Sequence, residues 1–196
     1  MLEVNPTSTG INLQRYKDNL LSDVSYEELN RDAEELGLPE KGLPPLYAVF
    51  LRGMHLDEDN LTGGFLMRNP LDPTLNRKSY FHALTLCIGM CIVRCLERLD
   101  ELEPGGPDYV IGCGGGFLSP VICQTVADLS GKTLRLYRTF RESTAYGCFL
   151  LCRQALGQGT PDRELLREYA PKPCDELKAY YAKWLEAREQ LKPLKL

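Results

Sequence analysis

The sequence predicts an α/β domain, and three observations carry that expectation. Short apolar runs at 46–51, 109–111 and 134–137 have the length and bounding turn residues of buried strands. Helical spacing fills the stretches around them, at 13–21, 25–36, 79–99, 119–129, 142–156 and 174–191. Tyr109-Val110-Ile111-Gly112-Cys113-Gly114-Gly115-Gly116 then leads a strand through consecutive glycines into a helix that begins at Ser119. Strands alternating with long helices give a layered arrangement of sheet and helices. The 196 residues, 43% of them hydrophobic, are enough for one core, so residues 1–196 are read as a single domain.

Each element has its own signal. Residues 1–10 read as irregular, with Asn5-Pro6-Thr7 a turn former. Leu13, Tyr16 and Leu20 share one face of the first helix. Ser25-x-x-Glu28 is a capping pattern that opens a second helix ending at Gly37, and Asp32, Glu34 and Glu35 on it read as a solvated face. A turn-rich bridge, 39–45, leads into the first strand. His55-Leu56-Asp57-Glu58-Asp59 crowds an imidazole against three carboxylates; metal or acid–base chemistry is one reading, and a solvated polar loop is preferred because nothing local fixes the geometry. Gly63-Gly64 reads as a turn before 65–67, and Pro70 and Pro73 keep 69–77 from forming a regular helix.

The helix at 79–99 is apolar nearly all round, which predicts a central, buried helix. Gly89 within it permits a close neighbour, and His82 reads as a polar residue near its start. Pro104-Gly105-Gly106-Pro107 breaks the chain before the glycine strand. The helix at 142–156 carries Ser143, Ala145 and Gly147, small enough to let it lie against another element. Residues 161–169 read as a short helix or turn, and the amphipathic C-terminal helix packs through Trp184.

Composition excludes several function classes. A net charge of −4 and a pI near 5.3 offer no basic field for nucleic acid or an anionic membrane. The most apolar stretch, 81–93, is short of a bilayer span, and no basic-then-apolar leader opens the chain, so the expected compartment is the cytoplasm. The Asn60-Leu61-Thr62 sequon carries no meaning there. Of the eight cysteines, Cys87, Cys91 and Cys95 share one helical face and Cys148 and Cys152 repeat the spacing; thiols along one regular helix surround a tetrahedral ion poorly, so buried, reduced core cysteines and no metal site are expected.

The glycine stretch carries the chemistry. Bare backbone amides and a helix N-terminus suit an anionic or planar ligand. A dinucleotide fingerprint fails because Phe117 stands where its third glycine belongs, and a P-loop at Gly131-Lys132-Thr133 fails because Val126 stands where its first glycine belongs. A tight turn with no ligand remains the plain alternative. The downstream residues decide for a ligand. Gly114-Gly115-Gly116, Ser119-Pro120, then Gln124, Ala127-Asp128, Gly131-Lys132, then Glu142-Ser143-Thr144-Ala145-Tyr146-Gly147 resemble, in order and spacing, the C-terminal domain of FGGY carbohydrate kinases. Residues 10–20 and Gly63-Gly64-Phe65 resemble further segments of that family, with Tyr16 in place of its tryptophan.

That resemblance implies the second half of an actin-like ATPase of ribonuclease-H-like fold. It implies ATP and Mg as cofactors of the full-length enzyme, held with Gly114, Gly115 and Gly116 as backbone contacts and Phe117 bordering the base. The family places a small residue where Phe117 stands, so the ring either stacks on adenine, turns harmlessly outward, or fills the pocket. Glu142 to Gly147 are expected as scaffold, with Glu142 a candidate acceptor for the amides of its helix start. The partner implied is an N-terminal lobe that holds the sugar and the aspartate base; no residue here matches that base, so no catalytic residue is assigned and the chain alone is expected to be inactive. An exposed inter-lobe face favours self-association, which puts a homodimer among the expected partners. Two other readings stay open: a catalytically dead actin-like module used for protein contacts or dimerisation and, more distantly, a metal or redox protein built on the cysteines.

Overall fold

The computed structural model describes residues 9–37, 42–50, 63–191 and 193. The His55–Asp59 cluster, the sequon, and the readings for residues 1–8 and Leu51 lie outside them. In chain order the elements are α1 (Thr9–Leu20), α2 (Tyr26–Gly37), β1 (Leu46–Phe50), β2 (Gly63–Met67), α3 (Arg77–Leu102), β3 (Tyr109–Ile111), α4 (Pro120–Ser130), β4 (Thr133–Tyr137), α5 (Ser143–Ala155), β5 (Leu165–Tyr169) and α6 (Asp175–Leu191). β1 and β2 form an antiparallel ribbon, and a second sheet has the order β3-β4-β5, parallel between β3 and β4 and antiparallel between β4 and β5.

The core gathers around α3. Asn76 caps it by accepting from the amides of Lys78 and Ser79, while Ser79 Oγ accepts from the Asn76 amide, so orphan donors at the helix start are satisfied reciprocally. Every residue from Phe81 to Met90 is buried. By length and composition α3 is apolar enough to cross a bilayer, contrary to the expectation that no run approaches that length; 67% of its apolar window is buried inside the protein, as in a core helix. α4 lies across it, with Gly89 facing Thr125, so the small residue does admit a close neighbour. His82 is fully inside the core rather than at a polar helix start.

The outer edge of β1 is closed by a helix. Tyr180 Oη donates to Leu46 O and Trp184 Nε1 donates to Ala48 O at 2.9 Å. Two helical residues four apart rise about 6 Å and two strand residues two apart about 6.6 Å, so successive outward carbonyls of β1 meet successive residues on one face of α6. This satisfies an edge that would otherwise be open.

Four readings are corrected. Residues 165–169 form strand β5, not a helix or turn, because they pair antiparallel along β4, with Arg135 and Glu168 directly opposite and ion-paired and Arg138 bonded to Glu164 just past the strand ends. Gly63 and Gly64 begin strand β2 opposite Phe50 and Val49, where the ladder fixes them. Asp32 is mostly covered and bonds Lys78 at 2.8 Å instead of facing water; the side chains of Glu34 and Glu35 lie outside the described residues. Cys87, Cys95 and Cys123 are buried as expected, whereas Cys113, Cys148 and Cys152 are exposed, because α5 has no buried side chain to shelter the last two.

Burial also sets the alkaline limit of stability. It pushes Tyr16 and Cys123 up to about 12 and Cys95 up to about 11, and raises Tyr180 and Tyr181 as well. Unfolded cysteine and tyrosine titrate near about 8.5 and 10. The folded state therefore holds these protons more tightly, and the stabilisation is complete below about pH 8.5 and is lost as pH rises through the folded values. Urea midpoints are expected to fall steadily from about pH 9 to 12. Tyrosinate absorbance from Tyr16, Tyr180 and Tyr181 should appear only with loss of near-ultraviolet dichroism; full titration of all ten tyrosines near pH 10 without unfolding would contradict the burial.

Candidate functional site

β3 and β4 run parallel, and the connections at their carboxyl ends face the same side, where open α/β sheets take ligands. The first connection is the glycine turn. The Gly112 amide continues the ladder to Arg135 O at 3.0 Å, and the Gly114 amide crosses to Phe140 O at 2.6 Å, tying this turn to the β4–α5 connection. Gly114 has φ 96° and ψ 169°, a conformation only glycine adopts without strain. A short 3₁₀ turn, Gly115–Leu118, follows and is closed by the Phe117 amide on Gly114 O and the Ser119 amide on Gly116 O.

α4 starts where that turn ends. Ser119 caps it, Pro120 occupies its first turn, and Gly131 in the left-handed region ends it with its amide on Ala127 O. Cys123 Sγ reaches back to Phe117 O at 3.3 Å; burial pushes this thiol up to about 12, so at neutral pH it keeps its proton and donates. The turn is thus held at both ends and from below.

Phe117 lies underneath it. A Cβ added at Gly112 would stand 3.0 Å from Phe117 Cδ1 and 2.6 Å from Leu136 Cδ2, so the half-buried ring is packed inward between the strand and the core. Gly115 and Gly116 differ from their neighbours. Both are exposed, neither has a left-handed φ, and a Cβ on either would meet nothing within 4 Å. As the first residues of a helical turn they have no acceptor for their amides within it. The four residues singled out in the sequence therefore divide: Gly114 shapes the turn, Phe117 supports it, and Gly115 and Gly116 face open space.

The other motif residues serve elsewhere. Gln124 Nε2 donates to Asp128 Oδ1 at 2.6 Å and Ala170 O at 2.9 Å, and the Lys172 amide donates to Asp128 Oδ1 at 2.7 Å. They latch the chain after β5 onto α4. Lys132 Nζ bonds Asp100 Oδ1 at 3.2 Å and Pro107 O at 3.0 Å, joining the start of β4 to the end of α3. Glu142 makes no side-chain bond at the start of α5, so the expected cap is absent. A hollow of about 360 Å³ beside Lys132, Tyr109 and Leu99 sits at the opposite end of β3 and shares no residue with the glycine turn. Sequence reasoning missed Phe140 and Cys123 as supports: Phe140 acts through its main-chain carbonyl from 26 residues away, and Cys123 through a thiol bond to the Phe117 carbonyl that residue type alone does not signal.

Comparison with known proteins adds a family. The model of the C-terminal domain of the FGGY family of carbohydrate kinases matches residues 21–156. YoaC of Bacillus subtilis (strain 168), which carries the name of a sugar kinase, is 27% identical over 189 residues, covering 96% of this chain and 38% of that protein. A glycerol kinase from Plasmodium falciparum solved with ADP superposes with a TM-score of 0.74 at 15% identity, over 96% of this chain and 38% of its own. A xylulose kinase from Rhodospirillum rubrum gives 0.69 at 17%, over 94% and 38%. The chain thus spans less than two fifths of each of these relatives, and it shares with the two kinase structures the α/β fold of actin-like ATPases.

Proposed function

Because the chain belongs to the FGGY family of carbohydrate kinases, we propose that it is the nucleotide-holding C-terminal part of an enzyme that moves the γ-phosphoryl group of ATP to a sugar or polyol hydroxyl. One observation carries the placement of the nucleotide. Gly115 and Gly116 are glycines that the fold does not require, since side chains there would meet no protein atom and no strain. A close backbone approach by a ligand is the remaining reason for them. The exposed main chain there suits the adenosine end of the nucleotide.

ATP, when bound, supplies the phosphoryl group. This chain's part is to hold and orient. Residues 112–119 contain no carboxylate, so a Mg ion that accompanies the phosphates does not find its ligands in this turn. In-line transfer also needs a base for the acceptor hydroxyl, which the family resemblance assigns to the N-terminal lobe, together with most contacts to the sugar. The isolated chain is therefore proposed to bind nucleotide without turning it over, and its setting to be the cytoplasm, where ATP is supplied.

Calorimetric titration with Mg·ATP, Mg·ADP and adenosine tests the reading. Similar affinities for all three are expected, because the turn grips the shared adenosine end. Gly116→Val should weaken them by about tenfold or more while moving Tm by no more than about 2 °C. Phe117→Ser should lower Tm and leave binding no tighter, since the ring supports the turn; tighter binding would mean that it occludes the site. The exposed apolar surface of α5 favours a second reading, a module for protein contacts without nucleotide. No binding at millimolar ligand would mean that Phe117 occludes the site or that the pocket requires the N-terminal lobe, and would put that reading on an equal footing; sugar-dependent ATP turnover by this chain alone would overturn both.

A further inference from the structure

α3 carries three thiols one turn apart, Cys87, Cys91 and Cys95, and they do not share one environment. Cys87 and Cys95 are buried, whereas Cys91 is partly open to solvent. α6 sets a cation beside the open one. Arg188 is only 7% exposed; its Nη1 stands 3.9 Å from Cys91 Sγ, and its guanidinium lies 4.7 Å from the centroid of the Trp184 ring. A guanidinium held against a buried indole face is not free to swing into water, so its charge stays on the sulfur. The titratable and charged groups that act on Cys91 are thus Cys87 and Cys95 from α3, and Arg188 and Tyr181 from α6. Glu97, further along α3, is bonded to Arg94 at 3.0 Å and accepts from Tyr181 Oη at 3.0 Å.

A cation within hydrogen-bond reach of a thiol favours the thiolate, and the thiolate is the nucleophile. Donation from the Cys87 thiol and the charge of Arg188 hold Cys91 below the ordinary cysteine value against the burial that opposes them, while burial pushes Cys95, one turn on, up to about 11. We infer that Cys91 is a peroxide-reactive thiol activated by Arg188, a modification site separate from the glycine turn. The thiolate sulfur attacks one oxygen of hydrogen peroxide: an S–O bond forms, the O–O bond breaks, and the other oxygen leaves with the electron pair as hydroxide. Sulfur gives up two electrons, the peroxide takes them, and the product is the sulfenic acid. Cβ bonds of residues four apart run side by side along a helix, so neither Cys87 nor Cys95 is placed to turn that acid into a disulfide while α3 stays helical. The product stands in the contact between α3 and α6, the helix that closes the edge of β1. The inference does not depend on nucleotide binding at the glycine turn.

Peptide mapping of the whole chain after hydrogen peroxide at neutral pH, with dimedone trapping the sulfenic acid, reads the rate at every cysteine. Cys91 should be trapped about tenfold or more faster than Cys148 and Cys152, although those two are the more exposed. Alkylation of Cys91 by iodoacetamide in the unaltered chain should reach half its limiting rate clearly below about pH 8.5, where an ordinary thiol does so. Arg188→Met keeps apolar contact with the indole and removes the charge; it should slow Cys91 by about tenfold and move that midpoint upward, and Arg188→Lys should restore part of the rate. The pH profile of the unaltered chain needs no variant, so a variant that fails to fold leaves the test standing. Trapping at Cys91 no faster than at Cys148 and Cys152 would overturn the inference, as would a midpoint at or above about pH 8.5 in the unaltered chain. An unchanged Cys91 rate in folded Arg188→Met would do the same.

Discussion

Trp184→Ala is expected to lower stability by about 4 kcal/mol or more, the largest loss from any single truncation in this chain. The ring is fully buried, stacks on Tyr181 with centroids 5.8 Å apart, and has the Arg188 guanidinium 4.7 Å from its centroid. Truncating a buried tryptophan costs about 3–5 kcal/mol in transfer and cavity terms. Ala48 O then loses the donor that covers the edge of β1, and an unsatisfied buried carbonyl costs about 1–3 kcal/mol more. For a domain of this size the sum corresponds to a Tm lower by about 10 °C or more. Urea denaturation and calorimetry read it directly. Trp184→Phe separates the causes: it keeps most of the bulk and loses only the donor, so about 1–2 kcal/mol is expected. A loss below about 1 kcal/mol in Trp184→Ala would mean that α6 does not hold β1.

This contact also marks where sequence reading stops. The apolar spacing of 174–191 shows a helix and shows that Trp184 faces inward, but nothing near Trp184 names strand 46–50 as its partner. Elements written in local periodicity, such as the capped start of α2, the buried α3 and the Ser119-Pro120 opening of α4, are legible because cap and period lie within a few residues of each other. β5 is not, because the ladder that makes it a strand and the Arg135 that pairs with Glu168 belong to β4, some 33 residues earlier, and by itself the charged run looks like a turn. The glycine turn is legible as a strand-to-helix turn, yet the division of labour within it is not. Which glycine bends the chain and which leaves room depends on φ at Gly114 and on empty space above Gly115 and Gly116, and the inward ring of Phe117 depends on Leu136. The exposure of Cys148 and Cys152 follows from what does not cover α5, and composition cannot report that.

Gly89→Val should do the second-largest damage, and it should reach the glycine turn. A Cβ at Gly89 would stand 2.8 Å from Thr125 Cγ2 and 2.9 Å from Thr125 Cβ. Cβ is fixed to the α4 backbone, so rotating a side chain does not relieve the clash; α4 itself must shift. Overpacking of this kind costs about 1–3 kcal/mol, more than the few tenths that a better helix former returns at position 89. Because α4 begins at Ser119, directly after the turn, its displacement should also weaken any nucleotide held by Gly115 and Gly116. Thr125→Gly clears the space. Alone it costs about 1 kcal/mol for glycine in a helix interior and about 1 kcal/mol more for the buried methyl it removes, while the lost hydroxyl has no hydrogen-bond partner among the described residues. The double variant should then be more stable than the sum of the singles by about 1 kcal/mol or more, with nucleotide affinity recovering in parallel. Additive losses would show that α3 and α4 do not touch at this point. Recovery of stability without recovery of affinity would show that the packing of α4 does not position the turn.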